Sequence, residues 1–177
     1  RLGFEEFKKE VHIFSPAYKA EDMEEIVKIA KHIVFNSFSQ MALYAKLAKE
    51  NGCEIALRIN PECSTQTEHE IYDPCSRGSR LGVRTAEFEK ALESKEGKKL
   101  YSMLDGLHFH TLCEQNSDDL YKTLQAVKQK FGKYLPDMKW LNFGGGHHIT
   151  RKDYDVELLK KCIVKMRDDY DLSIYLE

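Results

Sequence analysis

The sequence has no strong excess of charge and no long apolar run. Among its 177 residues, 27 are Lys or Arg and 29 are Asp or Glu, which leaves a formal net charge of −2. This balance gives no reason to expect a nucleic acid or an anionic membrane as a partner. No apolar run approaches the roughly 18 residues that a membrane-spanning helix needs, so we expect no insertion into a membrane.

Cysteine pairs are also missing from the sequence. The five cysteines contain no CxxC motif, so a structural zinc site is a poor explanation for them. Free thiols in a reducing cytoplasm fit this scattered spacing best. No signal peptide is visible, and the chain begins at Arg1 without a Met, so we expect the native N-terminus to lie upstream. The cysteines are Cys53, Cys63, Cys75, Cys113 and Cys162.

Apolar runs of strand length alternate with segments of helical periodicity along the whole chain. With 42% hydrophobic residues, the 177 residues suffice for one domain with a buried core, and we assign residues 1–177 to a single domain. Strands that alternate with helices predict an α/β fold with a parallel sheet. The predicted strands are residues 11–15, 32–36, 54–60, 104–111, 140–143 and 173–177.

Two architectures fit these six strand–helix units. One is an open, doubly wound sheet, and the other is a (β/α)8 barrel. A complete barrel needs about 250 residues, so this chain would supply about three-quarters of one. In either architecture the carboxyl ends of the strands lie at one edge of the sheet, where ligands bind.

A run of three glycines, Gly144, Gly145 and Gly146, follows the apolar strand 140–143 directly. Glycines at this position bring unhindered backbone N–H groups to the carboxyl edge, and such groups suit a phosphate. A tight turn without a ligand explains three glycines equally well. The other predicted strand ends must therefore decide between these two interpretations.

Histidine and glutamate residues occupy two other strand ends. His108 and His110 are two residues apart on one predicted strand, so their side chains share a face. Such a pair can bind a metal, but the motif contains no carboxylate ligand, and we expect no metal. Two other roles explain the pair better: an imidazole that stacks on a flat ligand, or one that is buried in the core with its hydrogen bonds made there. Together with Glu177, a planar histidine and a glycine cradle could hold a phosphorylated pyridine whose nitrogen stays protonated.

The polar segment 61–82 interrupts the alternation of strands and helices. A loop of this length in a compact domain is often functional. Four arginines lie in or beside it, and either a positive pocket or a solvated loop explains them. These arginines are Arg58, Arg77, Arg80 and Arg84.

Several of these stretches together resemble one enzyme family. The strings HFHTLCE (residues 108–114) and NFGGGHH (residues 142–148), with YLE at residues 175–177, resemble the alanine racemase-like, pyridoxal-phosphate-dependent decarboxylases. Within that group they are most similar to the carboxynorspermidine (carboxyspermidine) decarboxylases. The similarity also includes VHIFSPAYK (residues 11–19) and DPCSRGSRLG (residues 73–82), and it runs in order along essentially the whole chain.

The resemblance implies a partial (β/α)8 TIM barrel of about six units, without the first two strands and without the family's C-terminal β-domain. It implies pyridoxal 5′-phosphate as cofactor, a carboxy-polyamine as substrate, and a homodimer of the intact enzyme. It assigns His110 to the face of the cofactor ring, and Gly144, Gly145 and Gly146 to its phosphate. Glu177 would face the ring nitrogen and the substrate. The residues Arg58, Arg80, Cys113 and Glu114 are possible pocket residues, without an assigned role.

The chain departs from the family pattern at both ends. The Schiff-base lysine would lie upstream of Arg1 and the general acid downstream of Glu177, while Lys19 does not match the catalytic lysine. The resemblance therefore implies the central part of a decarboxylase, with no catalytic residue of its own and no activity in isolation. The alternatives are a non-catalytic pyridoxal-phosphate-binding protein, a phosphate-binding barrel enzyme such as an aldolase, and a metal-dependent hydrolase that uses His108 and His110.

Overall fold

A computed structural model of the protein describes residues 2–66 and 73–177. The strands are β1 (His12–Phe14), β2 (His32–Phe35), β3 (Glu54–Asn60), β4 (Val83–Arg84), β5 (Gly106–His108), β6 (Trp140–Asn142) and β7 (Ser173–Tyr175). Six of them form a parallel sheet in the order β1-β2-β3-β5-β6-β7, and the two-residue strand β4 pairs with β3.

Helices connect most of these strands. Among the described residues, no helix combines the length and the apolar character needed to cross a bilayer. A short π-helix, Gly3–Phe7, precedes β1, and a 3-10 helix, Gly132–Asp137, directly follows the fifth α-helix. The helices are α1 (Ala20–Ile29), α2 (Phe38–Glu50), α3 (Thr85–Glu93), α4 (Lys95–Tyr101), α5 (Ser117–Phe131) and α6 (Val156–Tyr170).

The six predicted strands are present, and the predicted partial (β/α)8 barrel is confirmed. The fourth predicted strand is shorter than expected. It was expected over residues 104–111, but β5 ends at His108. One further ladder bond joins Phe109 N to Asn142 O at 3.0 Å, and the chain then leaves the sheet. Apolar residues alone therefore overestimate the strand, because Phe109 is buried without belonging to it.

The two faces of the sheet differ in chemistry because successive strand residues point to opposite sides. One face carries large aliphatic and aromatic side chains, such as Ile33, Leu107 and Leu141, which belong to the same buried cluster as the apolar residues of the helices. The other face, here called the inner face, carries polar and aromatic side chains. This division matches a barrel wall with helices outside and functional groups inside.

The inner face is closely packed near the amino ends of the strands. The His32 ring lies between those of His12, 3.9 Å away, and Trp140, 4.5 Å away. The indole Nε1 of Trp140 donates to Glu54 at 2.9 Å. A side chain at Gly106 would place its Cβ 2.3 Å from the Trp140 ring, so only glycine fits beneath the indole. This layer closes the amino end and leaves the carboxyl edge open.

Candidate cofactor site

The carboxyl edge brings the predicted site residues together. The strand register pairs His108 with Asn142 and Asn142 with Tyr175 across β5, β6 and β7. Two residues further along each strand lie His110, Gly144 and Glu177. Three sequence-distant segments therefore end side by side because parallel pairing fixes their register.

The carboxylate of Glu177 is the centre of this group. Its Oε2 lies 3.3 Å from His110 Nδ1, and its Oε1 accepts a hydrogen bond from Asn142 Nδ2 at 3.1 Å. The hydrogen bond with His110, with help from Asn142, lowers the pKa of Glu177 to about 2 against the opposing effect of burial. Glu177 is therefore ionised at neutral pH and can accept a proton-bearing ring nitrogen as its partner.

His108 lies beneath this carboxylate and is fully buried. Burial lowers its pKa to about 3, so the imidazole is neutral at neutral pH. Its Nε2 is 3.3 Å from Glu177 Oε1, but the geometry does not make a hydrogen bond. The contact is therefore a neutral imidazole against a carboxylate and not an ion pair.

The three glycines form a tight turn against the segment that follows β5. Gly144 and Gly146 have φ values of +71° and +84°, in the left-handed region that favours glycine. A Cβ at Gly144 would lie 2.5 Å from Phe109 O, and one at Gly146 would lie 2.1 Å from Leu112 O. Both positions are thus required by conformation and by close backbone packing.

The backbone N–H groups of this turn are not equivalent. Gly144 N donates to Asn142 Oδ1 at 2.7 Å, so this N–H is used within the protein. Gly145 N approaches His110 Nδ1 at a longer 3.4 Å. The expectation that all three glycines offer bare N–H groups is therefore wrong for Gly144, which shapes the turn instead.

Arg58 and Cys113 line the same cavity of about 790 Å³ as His110 and Glu177. The Nη2 of Arg58 donates to His110 O at 3.0 Å, and its guanidinium lies 4.6 Å from the centre of the Phe14 ring. Burial lowers the pKa of Arg58 to about 10, which leaves it charged at neutral pH. Arg58 thus places a buried cation beside the cavity and holds the segment that carries His110.

Arg80 and Glu114 lie outside this cavity. Arg80 lines a separate hollow formed by residues 73–81, and its carbonyl accepts a bond from Asn36 Nδ2 at 2.9 Å. Glu114 is exposed and has a left-handed φ of 56°. Of the four arginines near the predicted loop, only Arg58 lines the cavity, so of the two explanations left open the described residues do not favour a pocket built from all four. Residues 67–72 of that loop lie outside the described residues.

Sequence reasoning missed two residues that organise the site. Asn142 joins Glu177 to the glycine turn and could have been found from its position two residues before Gly144 on the inner face. Gln115 joins the loops after β5 and β6: its N donates to Gly146 O at 3.0 Å, and its O accepts from His148 N at 3.1 Å. A lone glutamine in a loop carries no sequence signal for this role.

The donor atoms of His108, His110 and Glu177 lie within 4.8 Å of one another, and this group could hold a metal. The carboxylate that the HxH motif lacks comes from the end of β7. The same residues also fit a phosphorylated pyridine. An ionised carboxylate suits a protonated ring nitrogen, an imidazole suits a ring face, and Gly145 leaves the space above His110 Cε1 free of a side chain.

Comparison with known proteins separates these two interpretations. Residues 2–172 match the family described as "Pyridoxal-dependent decarboxylase, pyridoxal binding domain". The chain therefore belongs to this family, whose cofactor is pyridoxal phosphate, as the resemblance in the sequence implied.

Two curated relatives and one solved structure indicate which decarboxylases of this family the chain is similar to. A carboxynorspermidine/carboxyspermidine decarboxylase of Campylobacter jejuni is 43% identical, over 96% of this chain and 41% of the relative. A carboxyaminopropylagmatine decarboxylase of Synechocystis is 41% identical, over 89% of this chain and 38% of the relative. The crystal structure of the C. jejuni carboxynorspermidine decarboxylase with norspermidine is 39% identical and has a TM-score of 0.83, covering 98% of this chain and 42% of that one. The chain thus spans about two-fifths of these relatives.

Proposed function

We propose that the complete protein containing this chain decarboxylates carboxynorspermidine or carboxyspermidine to norspermidine or spermidine in polyamine biosynthesis. The observation that carries this proposal is the ionised Glu177 beside His110 and the glycine turn, in a chain 43% identical to an enzyme of that name. We also propose that residues 1–177 belong to a single domain, and that the complete protein is a cytoplasmic homodimer.

Each residue at the carboxyl edge has a part in this proposal. Pyridoxal phosphate, when bound, supplies an electron-poor pyridine ring that accepts the electron pair left by the departing carboxylate. Glu177 would keep a proton on the ring nitrogen by accepting its hydrogen bond, and it lies close enough to the cavity to face the substrate. His110 would cover one face of the ring, while Gly145 and Gly146 would receive the phosphate. Arg58 would hold the His110 segment in place.

In our proposal, the residues that carry out the covalent and acid–base steps lie outside this chain. We propose that the lysine that bonds the cofactor and the acid that returns the proton come from other parts of the complete protein. Borohydride reduction of the complete protein with pyridoxal phosphate, followed by peptide mass spectrometry, tests this directly. We expect the adduct on a lysine outside residues 1–177, and an adduct on a lysine within them would contradict the assignment.

Activity of the complete protein tests the function itself. It should be assayed with carboxynorspermidine, carboxyspermidine and carboxyaminopropylagmatine, with the amine products measured. Glu177→Gln should lower turnover on the order of a hundredfold, because it removes a charge aimed at the ring, while cofactor affinity changes only a few-fold. The control is Glu114→Gln, which removes an exposed carboxylate outside the cavity and should leave turnover unchanged. Unchanged turnover in Glu177→Gln would refute the assigned role.

Two other functions make different predictions. A non-catalytic pyridoxal-phosphate-binding protein would bind the cofactor and yield no product from any of the three substrates. A metal-dependent hydrolase gains support from the close grouping of His108, His110 and Glu177. That function requires stoichiometric metal, so elemental analysis of the purified complete protein separates it from a decarboxylase.

A further inference from the structure

Asn142 bonds through two different atoms of its side chain, one to Glu177 and the other to the glycine turn. It ends β6, faces the inner side of the sheet and is 2% exposed. Its Nδ2 donates to Glu177 Oε1 at 3.1 Å, and its Oδ1 accepts from Gly144 N at 2.7 Å. A single planar amide therefore links the carboxylate to the turn.

The orientation of this amide follows from its neighbours. The backbone N–H of Gly144 can only donate, so the side-chain oxygen of Asn142 must face it. The amide nitrogen then faces Glu177 and needs an acceptor, which an ionised carboxylate provides. A backbone bond from Glu177 N to Gly144 O, at 3.0 Å, joins the same two segments a second time.

The other neighbours of Glu177 do not have a clearly assigned role as hydrogen-bond donors to its carboxylate. His110 Nδ1 lies 3.3 Å from Glu177 Oε2 but also 3.4 Å from Gly145 N. One ring nitrogen cannot accept from Gly145 and donate to Glu177 at the same time. The contact of His108 with Glu177 lacks hydrogen-bond geometry. Asn142 is thus the donor to Glu177 whose role does not depend on a histidine tautomer.

We propose that Asn142 is a positioning residue that fixes the ring-nitrogen carboxylate and the phosphate-binding turn in one rigid frame. This inference rests on the proposed cofactor site, and it adds a residue that acts through Glu177 and Gly144. A change at Asn142 should therefore disturb the ring nitrogen and the turn together.

The first test measures the contact without any cofactor. In the complete protein, Asn142→Asp keeps an acceptor for Gly144 but places a second carboxylate beside Glu177. Two adjacent carboxylates cannot both ionise, so one should retain a proton at a pH where the unfolded chain has lost it. The melting temperature of the cofactor-free variant, relative to the unsubstituted protein, should therefore fall as the pH rises from about 5 to about 8.

Adding Glu177→Gln should reduce this pH dependence to that of a single buried carboxyl group, because the repulsion between two carboxylates is then gone. Asn60→Asp is a matched control, since Asn60 is also 2% exposed at a strand end but donates to the carbonyls of Pro74 and Leu81. Its effect should be the same with and without Glu177→Gln. A pH dependence of Asn142→Asp that is equally large with and without Glu177→Gln would overturn the proposal.

The second test follows the ring nitrogen itself. The probe is 4′-deoxypyridoxine 5′-phosphate, which has no aldehyde to bond a lysine and whose absorbance reports the protonation of its ring. Asn142→Leu should weaken binding of the probe about tenfold, the usual loss for a hydrogen bond to a charged group. It should also move the midpoint of ring deprotonation about one pH unit lower, because Glu177 is no longer held towards the ring.

A purely structural role for Asn142 would weaken binding but leave this midpoint in place, and that result would overturn the inference. In the Glu177→Gln background, Asn142→Leu should cause no further shift of the midpoint. Failure of the unsubstituted protein to bind the probe would instead refute the proposed cofactor site. If Asn142→Leu does not fold, the measurements on Asn142→Asp decide the inference alone.

Discussion

His32 and His108 are both buried on the inner face, and burial lowers the pKa of His32 to about 4 and that of His108 to about 3. In the unfolded chain each would take up a proton near pH 6.5. The unfolded state therefore binds more protons than the native state as the pH falls from about 7 to about 5, and the free energy of unfolding should fall with it. The slope should be on the order of 1 kcal/mol per pH unit for each histidine.

Urea denaturation of the complete protein at several pH values measures this slope. His32→Phe keeps a flat ring between His12 and Trp140 but removes the titrating group, so its slope should be clearly smaller. Glu177 does not confound this window, because its lowered pKa removes stability only below about pH 4.5. Equal slopes for the two proteins would show that His32 is not responsible.

Some residues of the candidate site could be predicted from the sequence, and others could not. His110 and Glu177 could be placed at one site because strand ends of a parallel sheet converge, and the structure places them 3.3 Å apart. Gln115 could not be recognised as a site residue, since its role depends on hydrogen bonds to a loop that is distant in sequence. The position of Arg80 relative to the cavity could not be derived from the sequence, because the path of the loop after β3 has no signature in its composition.

The glycine turn after β6 is the element on which the proposed cofactor site depends, and its three positions should respond differently to alanine. Gly146→Ala combines a left-handed φ of +84° with a Cβ 2.1 Å from Leu112 O, so it should cost about 3 kcal/mol of stability or more. Gly145 has no left-handed φ, and its Cβ would meet His110 Cε1 at 3.3 Å. Gly145→Ala should keep the fold but weaken cofactor binding by displacing His110.

Denaturant unfolding and cofactor titration of the complete protein check this contrast. Gly52→Ala serves as the control, because Gly52 has a φ of +76° with nothing within 4 Å of its Cβ position. It should show the cost of the left-handed backbone alone, about 1 kcal/mol, and no change in cofactor affinity. Equal losses of stability at Gly145 and Gly146 would contradict the difference in backbone conformation and available space between the two positions.

The positions of the strands could be predicted from the alternation of apolar runs, but the residues at which the strands end could not. The carboxyl end of β5 is set by the departure of the chain after Phe109, which then packs against Phe143 with ring centres 5.5 Å apart. Such packing depends on the neighbouring strand and not on local preference. The site sits just past such ends, so errors of two or three residues there matter more than elsewhere.

At the scale of the whole molecule, the sheet has two open edges in the described residues, because β1 pairs only with β2 and β7 only with β6. An open parallel edge presents unpaired N–H and C=O groups that can pair with another chain. The inner face beside these edges carries Phe14 and Tyr175, which are only partly buried. Residues 1–177 produced alone should therefore associate, with apparent mass rising with concentration.

Size-exclusion chromatography with light scattering tests this expectation against the complete protein. Ser173→Lys adds a charge to an exposed position of the edge strand β7, so it should reduce association without disturbing the core. The control is Asp168→Lys, because Asp168 is an exposed residue of helix α6 and does not belong to an edge strand. This substitution should leave association unchanged. A monomer whose mass does not depend on concentration, and which unfolds cooperatively, would contradict this expectation. It would mean that the two open edges need no partner strand, and that barrel closure contributes little to the stability of this part of the barrel.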